Sequence, residues 1–195
     1  MGKREDNAIA IKNRLLETTD NLIQKYGYQN VSVADITKAS GIAKGTFYNY
    51  YKKKNDIIND LGKKHFSEIN QKIDTLAHDH SAVESIGYYL KQYVNIITRV
   101  GVIRVKTWIQ FIIIPNDDKT KLDYDLLSLV KLIQGLVNNN KLSPNTPVKH
   151  LADFILTYVN GVIFSWTVNE QKDPDKIIHD FCELELVSLL KPYQK

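Results

Sequence analysis

Fourteen residues, Gly41 to Lys54, hold three tyrosines and four lysines and no carboxylate. A stretch so rich in donors is suited to a polyanion. Ammonium groups and phenolic hydroxyls donate to phosphate oxygens, which fixes position, while amine and amide side chains that reach base edges fix sequence. On that division Tyr48, Tyr50 and Lys54 are expected at phosphates, and Lys44 and Asn49 at base edges. Gly45, Thr46 and, just upstream, Ser32 complete the candidate surface. The donors spread along a groove-sized length, more than a small anion would engage. A solvated basic face, or a module docking an acidic protein, would share this composition; steep salt dependence is what separates duplex DNA from a protein partner.

Other constellations are weaker. The chain has no Gly-x-Ser-x-Gly elbow, no Gly-x-x-x-x-Gly-Lys phosphate loop and no His-Glu-x-x-His pair, so neither an enzyme nor a cofactor is expected. His78-Asp79-His80 has metal-ligating side chains, but it falls in a polar interhelical break where a solvated turn is the expectation, so no metal is assigned. Cys182 stands alone, with no histidine at a useful spacing, and reads as a buried thiol.

Charge supports the same division of labour. Residues 1–64 hold 12 Lys and Arg against 7 Asp and Glu; the remainder hold 14 against 15. The basic excess therefore lies in the N-terminal third, which points to an anionic partner for that part alone. The first dozen residues lack the apolar core of a leader, and no apolar run is expected to approach the roughly 20 residues of a membrane span. With one cysteine and no leader, a reducing cytoplasm is the expected setting, without a membrane partner.

The elements that must position these residues read as helix after helix, an all-α chain. Ile11, Leu15, Leu22 and Tyr26 recur at helical spacing and stop at Gly27. Ser32 reads as the N-cap of a short helix carrying Val33 and Ile36, and Ser40-Gly41 breaks it. A third short helix then runs from about Ala43 to Tyr50. Two short helices about a glycine turn form a helix-turn-helix, with Ile36, Ile42 and Phe47 meeting beneath the turn. Phe47 and Tyr51 are expected inside, and the Lys44–Tyr50 face outside. A long fourth helix, capped by Asn55 and reaching about residue 77, connects this domain (residues 1–54) to a helical remainder (residues 55–195). Further helices are expected from Val102 to Ile114, Leu122 to Val137, Val148 to Val168, and, after an Asp173 cap and Pro174, from Ile177 to Leu190.

The remainder is rich in aromatics. Tyr89, Tyr93, Trp108, Phe111 and Tyr158 are candidates to line a pocket for a small apolar or aromatic effector, with ordinary core packing as the alternative. No cluster of buried charges is evident among those helices, which favours an apolar ligand. The helix Val148–Val168 is apolar nearly all round and must be covered all round. Together with the last helix it is expected to form a homodimer interface, through Phe154, Val162, Trp166, Phe181 and Leu184.

The segment Thr37-Lys-Ala-Ser-Gly-Ile-Ala-Lys-Gly-Thr-Phe-Tyr-Asn-Tyr-Tyr-Lys-Lys-Lys54 resembles the N-terminal signature of TetR-family transcriptional regulators. That pattern runs roughly Ala-Gly-Val-x-x-Gly-Thr-Leu-Tyr-x-His-Phe-x-x-Lys. It is matched at Gly41, Ile42, Gly45, Thr46, Phe47, Tyr48, Tyr51 and Lys54. Thr37 and Ser40 stand where alanine is usual, and Tyr50 where histidine is common. The resemblance covers about residues 8–60. It implies a three-helix DNA-binding domain joined through the fourth helix to a helical ligand-binding and dimerisation domain. It further implies a homodimeric repressor that binds a palindromic operator and leaves it when a small molecule binds. A family member working as a co-activator, or as a DNA-bound factor without a pocket, is the alternative.

Overall fold

The computed structural model describes residues 2–113 and 120–194, with the backbone alone at 3, 4, 111–113 and 120–122. Among these residues there are helices and turns and no strand. The chain divides into two compact units, residues 1–64 and 65–195.

The first unit contains α1 (Lys3–Tyr26), a 3-10 turn (Tyr28–Asn30), α2 (Val33–Ser40), α3 (Lys44–Tyr50) and the start of α4 (Lys54–Gln71). Helix α1 stops at Gly27, whose φ of 77° lies where only glycine is unstrained. The apolar period then finds its partners: Leu15, Leu16 and Ile23 of α1 are buried, as are Ile36, Phe47, Tyr51, Ile57, Ile58 and Leu61. Surface ion pairs Lys12–Asp60 (2.7 Å) and Lys64–Glu17 (3.3 Å) link α1 to α4. In this core the Thr19 hydroxyl is buried without a hydrogen-bond partner among the described residues.

The second unit contains α5 (Ile73–Asp79), α6 (Ala82–Val100), α7 (Val102–Ile113), α8 (Thr120–Asn138), α9 (Val148–Val168), α10 (Pro174–Leu184), α11 (Leu186–Leu190) and a closing 3-10 turn. Helix α6 opens with a capping box in which Ser81 and Glu84 satisfy each other's backbone N–H groups. Asp173 caps α10 by accepting from the Lys176 N–H at 3.0 Å, with Pro174 in the first turn. Helix α10 packs on α6, and α8 packs on both α5 and α9. Gly135 makes the α5–α8 contact possible, because a Cβ there would lie 2.7 Å from the Ala77 Cβ.

Three expectations about the helices change. The connector is not one helix to residue 77: at Lys72 (φ −84°, ψ −6°) the chain turns more tightly, with the Lys72 N–H bonding to the Ile69 carbonyl, and α5 begins anew. Asn55 is not its cap, since α4 starts at Lys54 and the Asp56 carboxylate accepts from the Lys53 N–H at 3.0 Å. The last helix divides at Glu185 into α10 and α11. A fourth correction concerns α9, which by length and hydropathy does meet the composition of a membrane span. One side of it is nevertheless packed into the chain, through Leu151, Ala152, Ile155, Val159, Val162 and Ile163.

Candidate nucleic-acid interface

The helix-turn-helix is built from local hydrogen bonds. Ser32 and Asp35 form a capping box at the start of α2, in which the Asp35 N–H donates to Ser32 Oγ (3.1 Å) and the Ser32 N–H to Asp35 Oδ2 (2.8 Å). The Ser32 hydroxyl also donates to Asp35 Oδ2 at 2.6 Å, and these bonds hold the carboxyl below its ordinary value. Ser32 thus sits at the expected surface, but its only side-chain donor is already in use. At the other end of α2, Gly41 adopts the left-handed conformation (φ 65°, ψ 25°) and the Ile42 N–H reaches back to the Thr37 carbonyl at 3.1 Å. The two departures from the alanine pattern are accommodated inside this helix. Thr37 Oγ1 donates to the Val33 carbonyl (2.9 Å) and Ser40 Oγ to the Thr37 carbonyl (3.2 Å), so neither buried hydroxyl is stranded.

Helix α3 is anchored by Phe47, which is fully buried, packs 5.6 Å from the Tyr51 ring and meets Tyr48 edge-on. That anchor turns the opposite face outward. Lys44, Gly45, Tyr48 and Asn49 are exposed, and Thr46 and Tyr50 half-buried. No acidic residue interrupts this face.

Lys54 is placed differently from the expectation. Its ammonium donates to the carbonyls of Tyr28 (2.9 Å) and Val31 (2.8 Å) and lies 3.8 Å from the centre of the Tyr28 ring. Burial pulls its pKa below the ordinary lysine value. Next to it the Tyr28 hydroxyl donates to Asn55 Oδ1, and burial pushes that phenol up to about 12. The turn between α1 and α2 is therefore fastened to the first residues of α4. Sequence reasoning missed this because its partners lie 23 to 27 residues apart.

In the second unit the candidate effector residues scatter. Tyr89 and Tyr93 come together, and Tyr93 stacks on Phe66 at 4.6 Å. Trp108 is buried beside the His65 ring. Phe111 is on α7, but its side chain lies outside the described residues. Tyr158 does not join them; it stacks on Phe181 at 4.4 Å and stays part-exposed. Among the described residues these helices hold a single buried carboxylate. Asp125 is buried and accepts from the Tyr93 hydroxyl at 2.9 Å, while the Tyr89 hydroxyl donates to Asn70, which in turn donates to Tyr124. Desolvation and the Asp125 charge raise the pKa of both Tyr93 and Tyr89. The signal was present: Asp125 falls in phase with Leu129, Leu132 and Leu136, all buried.

An open groove of about 780 Å³ lies elsewhere, between α5, α6 and α10–α11, lined among others by Leu76, Val83, Tyr88, Lys91 and Cys182. Burial pushes the Cys182 thiol up to about 11, consistent with an inert side chain. Among the described residues no cluster suited to a metal occurs, and His78 pairs only with Asp79 at 2.7 Å on the surface.

The candidate interface residues divide as well. Phe154 (51%) and Leu184 (69%) are exposed, and Trp166 is half-buried. Val162 and Phe181 are already buried within the chain, so they support that face from beneath instead of presenting it. The face gains three residues not foreseen for it: Tyr158, Phe164 (51%) and Val168 (72%). Residues 154, 158, 161, 164 and 168 share one side of α9, all of them exposed.

Residues 15–61 match the family described as "Bacterial regulatory proteins, tetR family". The chain is 18% identical over 164 residues to the fatty acid metabolism regulator protein of Bacillus subtilis (strain 168), covering 82% of this chain and 84% of that one. It is 21% identical over 170 residues to the transcriptional repressor DhaR of Mycobacterium sp. (strain GP1), covering 84% and 86%. Among solved structures, Thermus thermophilus FadR in complex with lauroyl-CoA superposes with a TM-score of 0.71 at 15% identity, over 90% of this chain and 93% of that one. The helix-turn-helix thus lies within the segment that matches the TetR family of bacterial regulatory proteins, and the helical remainder shares the fold of solved structures from that family.

Proposed function

We propose that the protein is a homodimeric repressor that reads a palindromic operator through Lys44–Tyr50 and is released by a small molecule bound in its second unit. The observation that carries this reading is the outward face of α3, where Lys44, Gly45, Tyr48 and Asn49 stand exposed over a fully buried Phe47. Lys44 and Asn49 take the base edges, and Tyr48 and Tyr50 the phosphates. Dimerisation through α9 and α10 would cover Phe154, Tyr158, Phe164, Val168 and Leu184, an apolar face too large to leave to water without a partner.

The effector reading rests on the aromatic helices α6 and α7 and on two relatives' ligands: the FadR structure holds lauroyl-CoA, and SmeT has been solved with triclosan. The effector would part the Phe66–Tyr93 stack and displace α4, which runs unbroken from Lys54 to Gln71. A regulator without an effector is the second reading. It is favoured by the closed state of that cluster, whose tyrosine hydroxyls already have Asp125 and Asn70 as partners.

One experiment tests both. Purified protein is used to select bound sequences from random duplex DNA, and compounds are then screened for release of the winning duplex with quenching of Trp108. The selection should return paired half-sites about 34–36 Å apart, and Lys44→Ala or Asn49→Ala should change the preferred bases. No enrichment would sink the operator reading. Enrichment without any releasing compound would leave the effector-free regulator standing.

A further inference from the structure

We propose that the groove between α5, α6 and α10–α11 binds an elongated apolar molecule with one anionic end, at a site separate from the aromatic cluster around Tyr93. The groove, of about 780 Å³, lies wholly within the second unit. Its floor is apolar: Leu76 of α5, Gly87 of α6 and Cys182 of α10 are buried there, and Val187 of α11 forms an exposed edge. Along α6 it runs from Val83 to Lys91, about 12 Å at the helical rise per residue. Tyr88 and Tyr89 show how α6 parts the two regions. Tyr89 is buried and donates to Asn70, whereas Tyr88 is exposed at the groove. Gly87 keeps the floor deep. A glycine inside a helix is less favourable than alanine, and packing does not demand one here. A Cβ at this position would stand 3.8 Å from the Cys182 Cβ and Sγ and from Leu186 Cδ2, which is ordinary contact. At Gly135, by contrast, a Cβ would meet the Ala77 Cβ at 2.7 Å. What the missing side chain at 87 leaves is apolar room, which a small-molecule site combines with a few placed polar groups.

The charges at the rim choose the sign of the ligand. Both carboxylates of the lining are engaged. Glu84 Oε2 accepts from the Ser81 N–H (3.0 Å) and hydroxyl (2.7 Å), and Glu183 Oε1 accepts from Lys91 at 2.9 Å. Lys72 is placed otherwise. Its partner Glu68, at 3.2 Å, lies one turn back on α4, outside the lining, and is exposed. Exposed pairs at this helical spacing contribute little to stability, so a ligand anion takes the place of Glu68 at small cost. The hydrogen bond to Glu68 and the nearby Tyr88 phenol raise the pKa of Lys72 above its ordinary value. An ammonium and a hydroxyl thus stand at the rim of an apolar trough. They donate to a carboxylate, while Leu76, Gly87 and Cys182 take the body of the ligand.

The test uses matched rods that differ in charge: biphenyl-4-carboxylate, 4-biphenylmethanol and 4-biphenylmethylammonium. Their binding to the intact chain is measured by calorimetry for wild type, Lys72→Gln and Gly87→Leu. Wild type should bind the carboxylate several-fold more tightly than the alcohol, and the ammonium most weakly. Lys72→Gln should remove the preference for the carboxylate while leaving affinity for the alcohol unchanged. Gly87→Leu, which fills the floor, should abolish binding of every rod. Where Gly87→Leu fails to fold, Val187→Phe closes the groove from its exposed edge, with the same expectation. No binding by wild type, equal affinity for the three rods, or a carboxylate preference that survives Lys72→Gln would overturn the proposal. Binding that survives the groove-filling variant would overturn it too, and would return the ligand to the aromatic cluster with the effector reading intact.

Discussion

In the first unit Tyr48 keeps 48% of its surface exposed at the front of α3, whereas in the second Tyr93 is buried and spends its hydroxyl on Asp125. The same residue type serves opposite ends. In the first unit Tyr48 is turned outward over the buried Phe47, while Tyr28 and Tyr51 stay inside with it. The larger unit encloses Tyr89 and Tyr93, whose hydroxyls Asn70 and Asp125 satisfy internally. On α9 and α10 it leaves bare aromatic and aliphatic side chains instead. The contrast teaches that aromatic content does not mark a binding surface; the destination of each ring and hydroxyl does.

The sharpest break of this comparison comes from one chemical change made in both units. Phe47→Ala should destabilise the first unit by about 3–5 kcal/mol and abolish DNA binding, read by chemical denaturation and gel shift. Phe154→Ala, at a half-exposed ring, should cost the monomer little and instead move the sedimenting species from dimer toward monomer. Equal folding costs at the two positions would erase the distinction. A smaller effect separates the tyrosines. Tyr93→Phe leaves Asp125 short of a donor and should lower stability by about 1–3 kcal/mol in thermal unfolding, while Tyr48→Phe stays within about 0.5 kcal/mol. A silent Tyr93→Phe would mean that the buried pair contributes nothing. The smallest effect is a gain. Thr19→Val keeps the shape of a buried side chain whose hydroxyl has no partner, and should stabilise by about 1 kcal/mol. A loss would show that the hydroxyl is solvated after all.

How much of this was legible follows the range of the interactions. The Gly41 turn, the Ser32 cap and the buried Phe47 are written in neighbouring residues, and each was read where it stands. The helices Val148–Val168 and the Asp173-Pro174 start were legible for the same reason. Lys54 was expected at a phosphate from its charge and position, and its partners within the chain, which come from a turn far back, were not legible. Tyr158 was grouped with Tyr89 and Tyr93 because periodicity tells that a helix has faces but not which neighbour each face meets. Phe181 claims it, and nothing near Tyr158 in the chain announces that. Val162 was expected at the surface of a helix apolar all round, where composition cannot choose a side; packing within the chain chose for it.

The two fastenings of α2 differ in what the chain surrenders to make them. The Ser32–Asp35 box closes within three residues of sequence, so it is available to a chain that is otherwise unfolded. Lys54 must first bring together residues 23 and 26 apart, at a loop-closure cost on the order of 3 kcal/mol in entropy. The box can therefore outlast the loss of tertiary structure, whereas the lysine's grip exists only while α1, the turn and α4 are assembled. On partial melting, the helical start of α2 persists as a local segment after its tie to α4 has gone.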